Sequence, residues 1–258
     1  MKKIFFTLLM LTLVVILVGC GSNESERTTI IMGTSADFPP FEFIAEGGQG
    51  RHGQYDGIDV AIAVRIAEHI GADLVIHDAD FGALIMALNG GSIDFIAAGM
   101  TIRPDREEEV SFSIPYFNAM QYIVVRAGNT DIASANDLSN TFVGVQIGTT
   151  GDFFVTDNVG GTEPIRYNRA NEAFMALRAG QLDAVVIDSA TALMFVGAAG
   201  GELAIVRDYA AFESEYYGIA VRHEDTDLLA SINEVISEMV ANGEIEALFA
   251  YFSPEDDE

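Results

Sequence analysis

The chain has 258 residues, 39 of them acidic against 13 basic, for a formal net charge of −26. Half of the residues are hydrophobic, which excludes a disordered chain, and the acidic balance speaks against binding nucleic acid or an anionic membrane surface, since both present phosphates. The single cysteine, Cys20, excludes an intramolecular disulfide.

Met1-Lys2-Lys3 is a positive start, Ile4 to Val18 an apolar run, and Leu17-Val18-Gly19-Cys20 closes it. That pattern predicts an export signal over residues 1–20, too short for a transmembrane helix. Leu-Val-Gly-Cys resembles a bacterial lipobox, which implies a lipid anchor on Cys20; the plainer reading is an ordinary cysteine beside a cleavage site. Residues 21–28 are polar and read as a flexible tether. Both lysines lie in the signal segment, so the mature chain sets 39 acidic residues against 11 arginines. A lysine-free acidic surface of this kind points to a saline medium.

About 230 residues remain, enough for one large domain or two lobes with separate cores. Thr29 to Thr34 reads as a strand, followed by the loop Ser35 to Phe43, which Pro39 and Pro40 stiffen. Gly47 to Gly53 is a turn. Ile58 to Ile70 carries apolar residues at helical spacing and stops at Gly71. Asp73 to His77 is a short strand, and Phe81 to Leu88 a helix closed by Asn89-Gly90-Gly91. Alternating strand and helix signals predict α/β architecture.

The stretch Ile93 to Phe117 organises the rest. It begins as a buried strand, breaks at Gly99, then offers the Thr101 hydroxyl, the Arg106 guanidinium and Pro104 at a helix start. Backbone N–H groups freed there suit an anion, and a guanidinium can hold a carboxylate by two parallel bonds. On pattern alone, Arg106 equally well balances Glu107, Glu108 and Glu109 on a solvated face.

An internal echo follows. Ala87 to Asp94 and Ala176 to Asp183 share the form A-L-x-x-G-x-I/L-D, each ending a helix and entering a buried strand, about ninety residues apart. Two similar units fit two lobes of related build. Between them Gln121 to Arg126 reads as a crossing segment, Ala127 to Asn136 as a linker and Phe142 to Val145 as a strand. Gly148-Thr149-Thr150-Gly151 reads as a helix start with hydroxyl caps, a second place for an anion or a plain cap. Tyr216 to Arg222 reads as a second crossing, and Leu228 to Phe252 as helix broken at Asn242-Gly243.

In this order and spacing, SADFPPFEF, YDGIDV, FGALIMAL, AAGMTIRPDREEEVSFSIPYF, VGVQIGTTG, AGQLDAVVIDSA, EYYGIAVR and NGEIEALFAYF resemble the extracellular solute-binding proteins of polar amino-acid ABC transporters, solute-binding family 3. The resemblance covers the whole mature chain. It implies the α/β type II periplasmic-binding-protein fold: two α/β lobes joined by two crossing strands, with a ligand cleft between. Lobe one is expected over 29–122 and 217–258, lobe two over 123–216.

The resemblance also implies roles for individual residues. Arg106 would grip the α-carboxylate of a free L-amino acid, helped by Thr101, the Gly99 backbone and Thr150. Asp188 would accept the α-ammonium. Phe38 and Phe81 would pack on the side chain, with Ser35 and Gln146 nearby. Lobes bearing opposite halves of the site imply closure around the ligand. The implied partners are an ABC permease with its ATPase, and the membrane through the lipid alone; a monomer without cofactor or metal is expected, exported and held at the outer face of the cell membrane or in the periplasm.

The chain departs from the family at Gly57-Ile58-Asp59-Val60-Ala61, with alanine where a second acid is usual, and at Gly82-Ala83-Leu84-Ile85-Met86; both concern helix starts and lobe architecture. Asp37 and Glu42, beside Phe38, favour a basic or polar ligand, since a cation gains from carboxylates and ring faces; Glu42 alternatively faces water. Two other readings are a dehydratase-like enzyme and an amino-acid sensor. Against the first, His52, His69, His77 and His223 are scattered outside the implied cleft; against the second, the chain stops soon after its last helix.

Overall fold

The computed structural model describes residues 28–253. The predicted signal segment with Cys20, nearly all of the predicted tether and the terminal Pro254 to Glu258 lie outside the described residues.

Two five-stranded sheets share one strand order. In the first, Asp73–Asp78, Thr29–Thr34 and Phe95–Ile96 run parallel, then Ala220–Val221 and Ser111–Phe112 continue antiparallel. In the second, Ile165–Tyr167, Val143–Gln146 and Ala184–Asp188 run parallel, then Gln121–Arg126 and Leu203–Val206 continue antiparallel. Separate apolar clusters back them, with Leu84, Leu88 and Ile96 in the first and Val125, Val143 and Val155 in the second.

The internal echo is three-dimensional. Asp94 Oδ2 accepts the Ile31 N–H at 2.8 Å, and Asp183 Oδ2 accepts the Phe142 N–H at 2.9 Å. Arg222 donates to the carbonyls of Leu88 and Ile93 at 3.1 and 2.8 Å; Arg126 donates to those of Leu177, at 3.1 Å, and Leu182. Glycine is required in both first parallel strands. A Cβ on Gly33 would meet Ile93 at 2.2 Å, and one on Gly144 would meet Leu182 at 2.4 Å. Each aspartate thus locks a helix-to-strand entry that a close side chain on the neighbouring strand also defines.

The crossing is made elsewhere than the sequence predicts. Gln121–Arg126 is an interior strand of the second sheet. The crossing pair is Phe117–Ala119 with Glu215–Tyr217, antiparallel and outside both sheets. The predicted second crossing, Tyr216 to Arg222, is therefore divided between that pair and the first sheet. Aromatic packing fixes the place: Phe41, Phe117 and Tyr217 lie with ring centroids 4.9–5.6 Å apart. Such pairs add to simple area burial.

The helix Ile58–Ile70 buries Ile58, Val60, Ile62, Ala63 and Ile66, and ends at Gly71 with φ 72°. Helices Thr226–Ala241 and Glu244–Phe252 return to pack on it, tied by Arg65 to Glu244 at 2.5 Å and Glu238 at 3.2 Å. The break between them falls at Asn242-Gly243, as the sequence predicts. Among the described residues no helix is long and apolar enough to cross a membrane.

Candidate ligand-binding site

Between the lobes lies a cavity walled by Ser35, Phe38, Phe81, Gly99, Thr101, Arg106, Gln146, Thr150 and Asp188, the nine residues picked out in the sequence. Glu42, Ala98 and Thr149 complete the wall. The cavity is nearly filled by its own walls, with a free volume of about 10 Å³.

The local sequence explains each placement. The strand Phe95–Ile96 ends in a turn at Gly99, φ 51°, and the chain then enters the short helix Pro104–Glu107 with proline at its start. That turn aims Arg106 inward, where it is 5% exposed. Its guanidinium donates from Nη1 to the Thr101 carbonyl at 2.8 Å and from Nη2 to the Gly148 carbonyl, in the other lobe, at 3.0 Å. It lies over the Phe81 ring, 5.2 Å from the centroid. Burial, then repulsion by Arg103, lowers its pKa to about 10, so it stays charged at neutral pH. The solvated-face reading of Arg106 is thereby set aside: Glu107, Glu108 and Glu109 are exposed and the guanidinium is not.

In the second lobe, Thr149 caps the helix Thr150–Asn158, its hydroxyl accepting the Asp152 N–H at 3.3 Å and donating to the Gln146 carbonyl at 2.8 Å. Thr150 begins that helix and faces the cavity. Gln146 donates across the lobes to Ser35 Oγ at 3.4 Å. Asp188 ends the strand Ala184–Asp188, 4% exposed, and accepts the Tyr217 hydroxyl at 2.7 Å. Burial, then the charge of Glu215, pushes its pKa up to about 7.

Glu42 was open between ligand and solvent; the structure buries it completely. Neither of its oxygens meets a hydrogen-bond donor among the described residues. Burial first, then Asp59 and Asp37, holds its pKa well above the usual carboxylate range. Asp59 is equally buried, accepting the Gly99 N–H at 2.8 Å and the Tyr116 hydroxyl at 2.7 Å. Burial pushes its pKa up to about 6, with those donors opposing the shift. Asp59 therefore braces the Gly99 turn, beyond marking a helix start. Nothing local in the sequence points to this, because Gly99 lies forty residues on.

Asp37 does not line the cavity. It accepts the Asn171 N–H at 3.1 Å and lies 3.7 Å from Arg169, both in the second lobe. None of the four histidines lines the cavity either. His52 bonds to the Leu74 carbonyl, His69 pairs with Glu234, and His223 meets Ser111.

Chemically, the wall offers one guanidinium, the hydroxyls of Ser35, Thr101, Thr149 and Thr150, and a helix start, with the Asp188 and Glu42 carboxyls as its acids. The chain is similar to known proteins over nearly its full length. It is 30% identical to the L-cystine-binding protein TcyJ of Escherichia coli K12, covering 89% of this chain and 84% of the relative. It is 31% identical to the arginine-binding extracellular protein ArtP of Bacillus subtilis, covering 96% of each. The arginine-bound form of truncated ArgBP from T. maritima superposes with a TM-score of 0.76 at 45% identity, covering 82% of this chain and 96% of that one. The model of the bacterial extracellular solute-binding proteins, family 3, matches residues 30–255, and the chain belongs to that family.

Proposed function

We propose that the chain is the capture subunit of an amino-acid ABC importer and that its ligand is a free amino acid with a cationic side chain. One observation carries the ligand class: Glu42 is fully buried at the cavity wall with no donor for either oxygen. Its neighbour is a second buried carboxyl, Asp59, so the pair holds a proton, and a guanidinium or ammonium entering the cavity favours its ionised form. The wall sets one cation, Arg106, beside two carboxyls whose pKa values burial raises, Asp188 and Glu42; a cationic ligand favours their ionised forms, which a neutral or anionic ligand does not. The arginine-binding names of two relatives agree with this reading.

In this reading Arg106, the Gly99 backbone, Thr101 and Thr150 receive the α-carboxylate, and Asp188 the α-ammonium. Phe38 and Phe81 hold the aliphatic stem, with Ser35 and Gln146 beside it. The narrow cavity admits an amino acid only as the lobes part, and closure follows as a population shift. The crossing pair supports lobe boundaries near Ala119 and Glu215. The protein acts by binding, not catalysis, as an exported monomer with a lipid on Cys20, delivering to a permease and its ATPase.

The test is a thermal-shift panel of the twenty amino acids with ornithine and cystine. Ligand at a hundred times its dissociation constant stabilises by about 2.7 kcal/mol, a shift of a few degrees. Shifts confined to arginine, lysine and ornithine, and lost in Arg106→Ala, support the proposal; shifts from acidic or apolar amino acids alone overturn the ligand class.

A further inference from the structure

Glu215 belongs to the crossing strand Glu215–Tyr217 and is not part of the cavity wall. Its carboxylate nevertheless holds two hydroxyls of that wall. Oε2 accepts from Thr101 Oγ1 at 3.0 Å and from Thr150 Oγ1 at 2.9 Å. The Gln121 amide donates to the same carboxylate at 3.3 and 3.4 Å, and to Thr150 Oγ1 at 3.0 Å. Thr101 follows a strand of the first sheet, whereas Gln121 and Thr150 belong to the second lobe's elements. One carboxylate on the crossing strand therefore ties both lobes. Behind it is a second cavity of about 460 Å³, whose wall includes Thr101, Gln121, Thr150, Phe212, Glu215 and Tyr216.

A hydroxyl has one proton to give. With both protons committed to Glu215, Thr101 and Thr150 present only lone pairs to the ligand cavity, and Gln121 already occupies one on Thr150. A carboxylate gripped by Arg106 needs those protons, and it meets the like charge of Glu215 behind the two threonines. We propose that Glu215 is an internal stand-in for the ligand's carboxylate, competing for the Thr101 and Thr150 hydroxyls and joining the lobes through them. The inference rests on the amino-acid-binding reading above. When ligand takes the hydroxyls, Glu215 turns toward the second cavity, where there is room for it. Closure on ligand then exchanges one carboxylate for another, and affinity reflects the difference between the two. A closed form held by Glu215 also withholds binding-competent protein, which lowers apparent affinity in the same direction.

The test compares the full chain with Glu215→Ala and Glu215→Gln by titration calorimetry, using L-arginine and L-argininamide as probes. Small-angle scattering of each protein without added ligand is the second readout. In Glu215→Ala, arginine is expected to bind about tenfold more tightly. Argininamide, which has no carboxylate to compete, should gain distinctly less, only the part that comes from releasing the closed form, and the ligand-free radius of gyration should rise. Glu215→Gln, which keeps the shape and one acceptor, should fall between. Weaker arginine binding in either variant, equal changes for the two probes, or an unchanged radius overturns the inference. If the unaltered protein binds neither probe, it is the cationic-ligand reading that fails; scattering still decides whether Glu215 joins the lobes.

Discussion

Arg169 Nη1 stands 2.7 Å from Asp78 Oδ1, joining the second lobe to the end of an edge strand of the first. The same guanidinium reaches Asp80 at 3.2 Å and Asp37 at 3.7 Å, so three carboxylates of one lobe converge on one arginine of the other. Unlike the Glu215 bridge, this cluster leaves the Thr101 and Thr150 hydroxyls free, touching the cavity wall only through Ser35, which donates to Asp37 at 3.2 Å, so it persists when ligand is bound. Arg169→Ala should therefore weaken ligand binding by about fivefold, the equivalent of about 1 kcal/mol for a partly exposed pair. Calorimetry in a salt series checks it: the wild-type affinity should fall toward the variant's as screening rises. Equal affinities in low salt would remove the cluster from closure.

Arg106→Lys should fail almost as badly as Arg106→Ala. An ammonium cannot reach the Thr101 and Gly148 carbonyls and still present a planar pair of donors to a carboxylate. Two charge-assisted bonds at about 1.5–3 kcal/mol each correspond to at least a hundredfold rise in Kd. The measurement is the arginine titration, alongside circular dichroism to show that both variants fold. Retention of near-native affinity by the lysine variant would contradict a bidentate grip.

Asp188 and Asp59 have folded-state pKa values raised to about 7 and about 6 from 3.8, and burial raises Glu42 as well. The folded protein thus holds protons that the unfolded chain releases. Their contribution to stability is full below about pH 4 and is lost as pH rises toward 7. Ligand-free thermal midpoints should fall over that window, and Asp59→Asn should flatten the part near pH 6. Affinity for a cationic amino acid should move oppositely, rising through pH 7 as Asp188 ionises to meet the ammonium. Calorimetry in buffers of different ionisation enthalpy should register proton release. An affinity flat from pH 5.5 to 8 would remove Asp188 from that role.

Gly99→Ala should uncouple binding from folding. The position has φ 51°, and an added Cβ meets the Phe38 ring at 2.9 Å and Tyr217 at 3.4 Å. Left-handed backbone at a non-glycine residue costs about 1–2 kcal/mol, leaving a folded but less stable protein. Displacing the Phe38 ring should weaken arginine binding about tenfold or more, because that ring is a wall of the cavity. A variant that melts lower but binds normally would show that Phe38 has no bearing on the ligand.

Tyr116→Phe removes the hydroxyl that stands 2.7 and 2.8 Å from the two Asp59 oxygens and gives its one proton to that carboxylate. The buried carboxylate then keeps the Gly99 N–H and the Glu42 carboxyl, and unfolding free energy in denaturant should drop by about 1–3 kcal/mol. The loss should be larger at pH 8 than at pH 5, because only the ionised carboxylate depends on the missing donor.

Much of this was written locally. The strand Thr29–Thr34, the helix Ile58–Ile70 with its stop at Gly71, and the break at Asn242-Gly243 follow from periodicity and from residues that punctuate it. The A-L-x-x-G-x-I/L-D echo announced two lobes, because each copy carries its own turn and its own aspartate anchor. The nine cavity residues were legible through the resemblance to the solute-binding family, whose motifs they occupy; local pattern alone left Arg106 open between an anion site and a solvated face. Composition and local pattern determined the α/β class and the two-part build, and the family motifs in the sequence pointed to those residues. Only the tertiary structure decided that Glu42 is buried without a donor, that Asp59 braces Gly99, that Glu215 holds Thr101 and Thr150, and that Phe117–Ala119 makes the crossing in place of Gln121–Arg126. The physical reason is that a charge's state depends on what surrounds it. For Asp59 and Glu215 the partners lie 40 to 114 residues away in the chain, which periodicity cannot see.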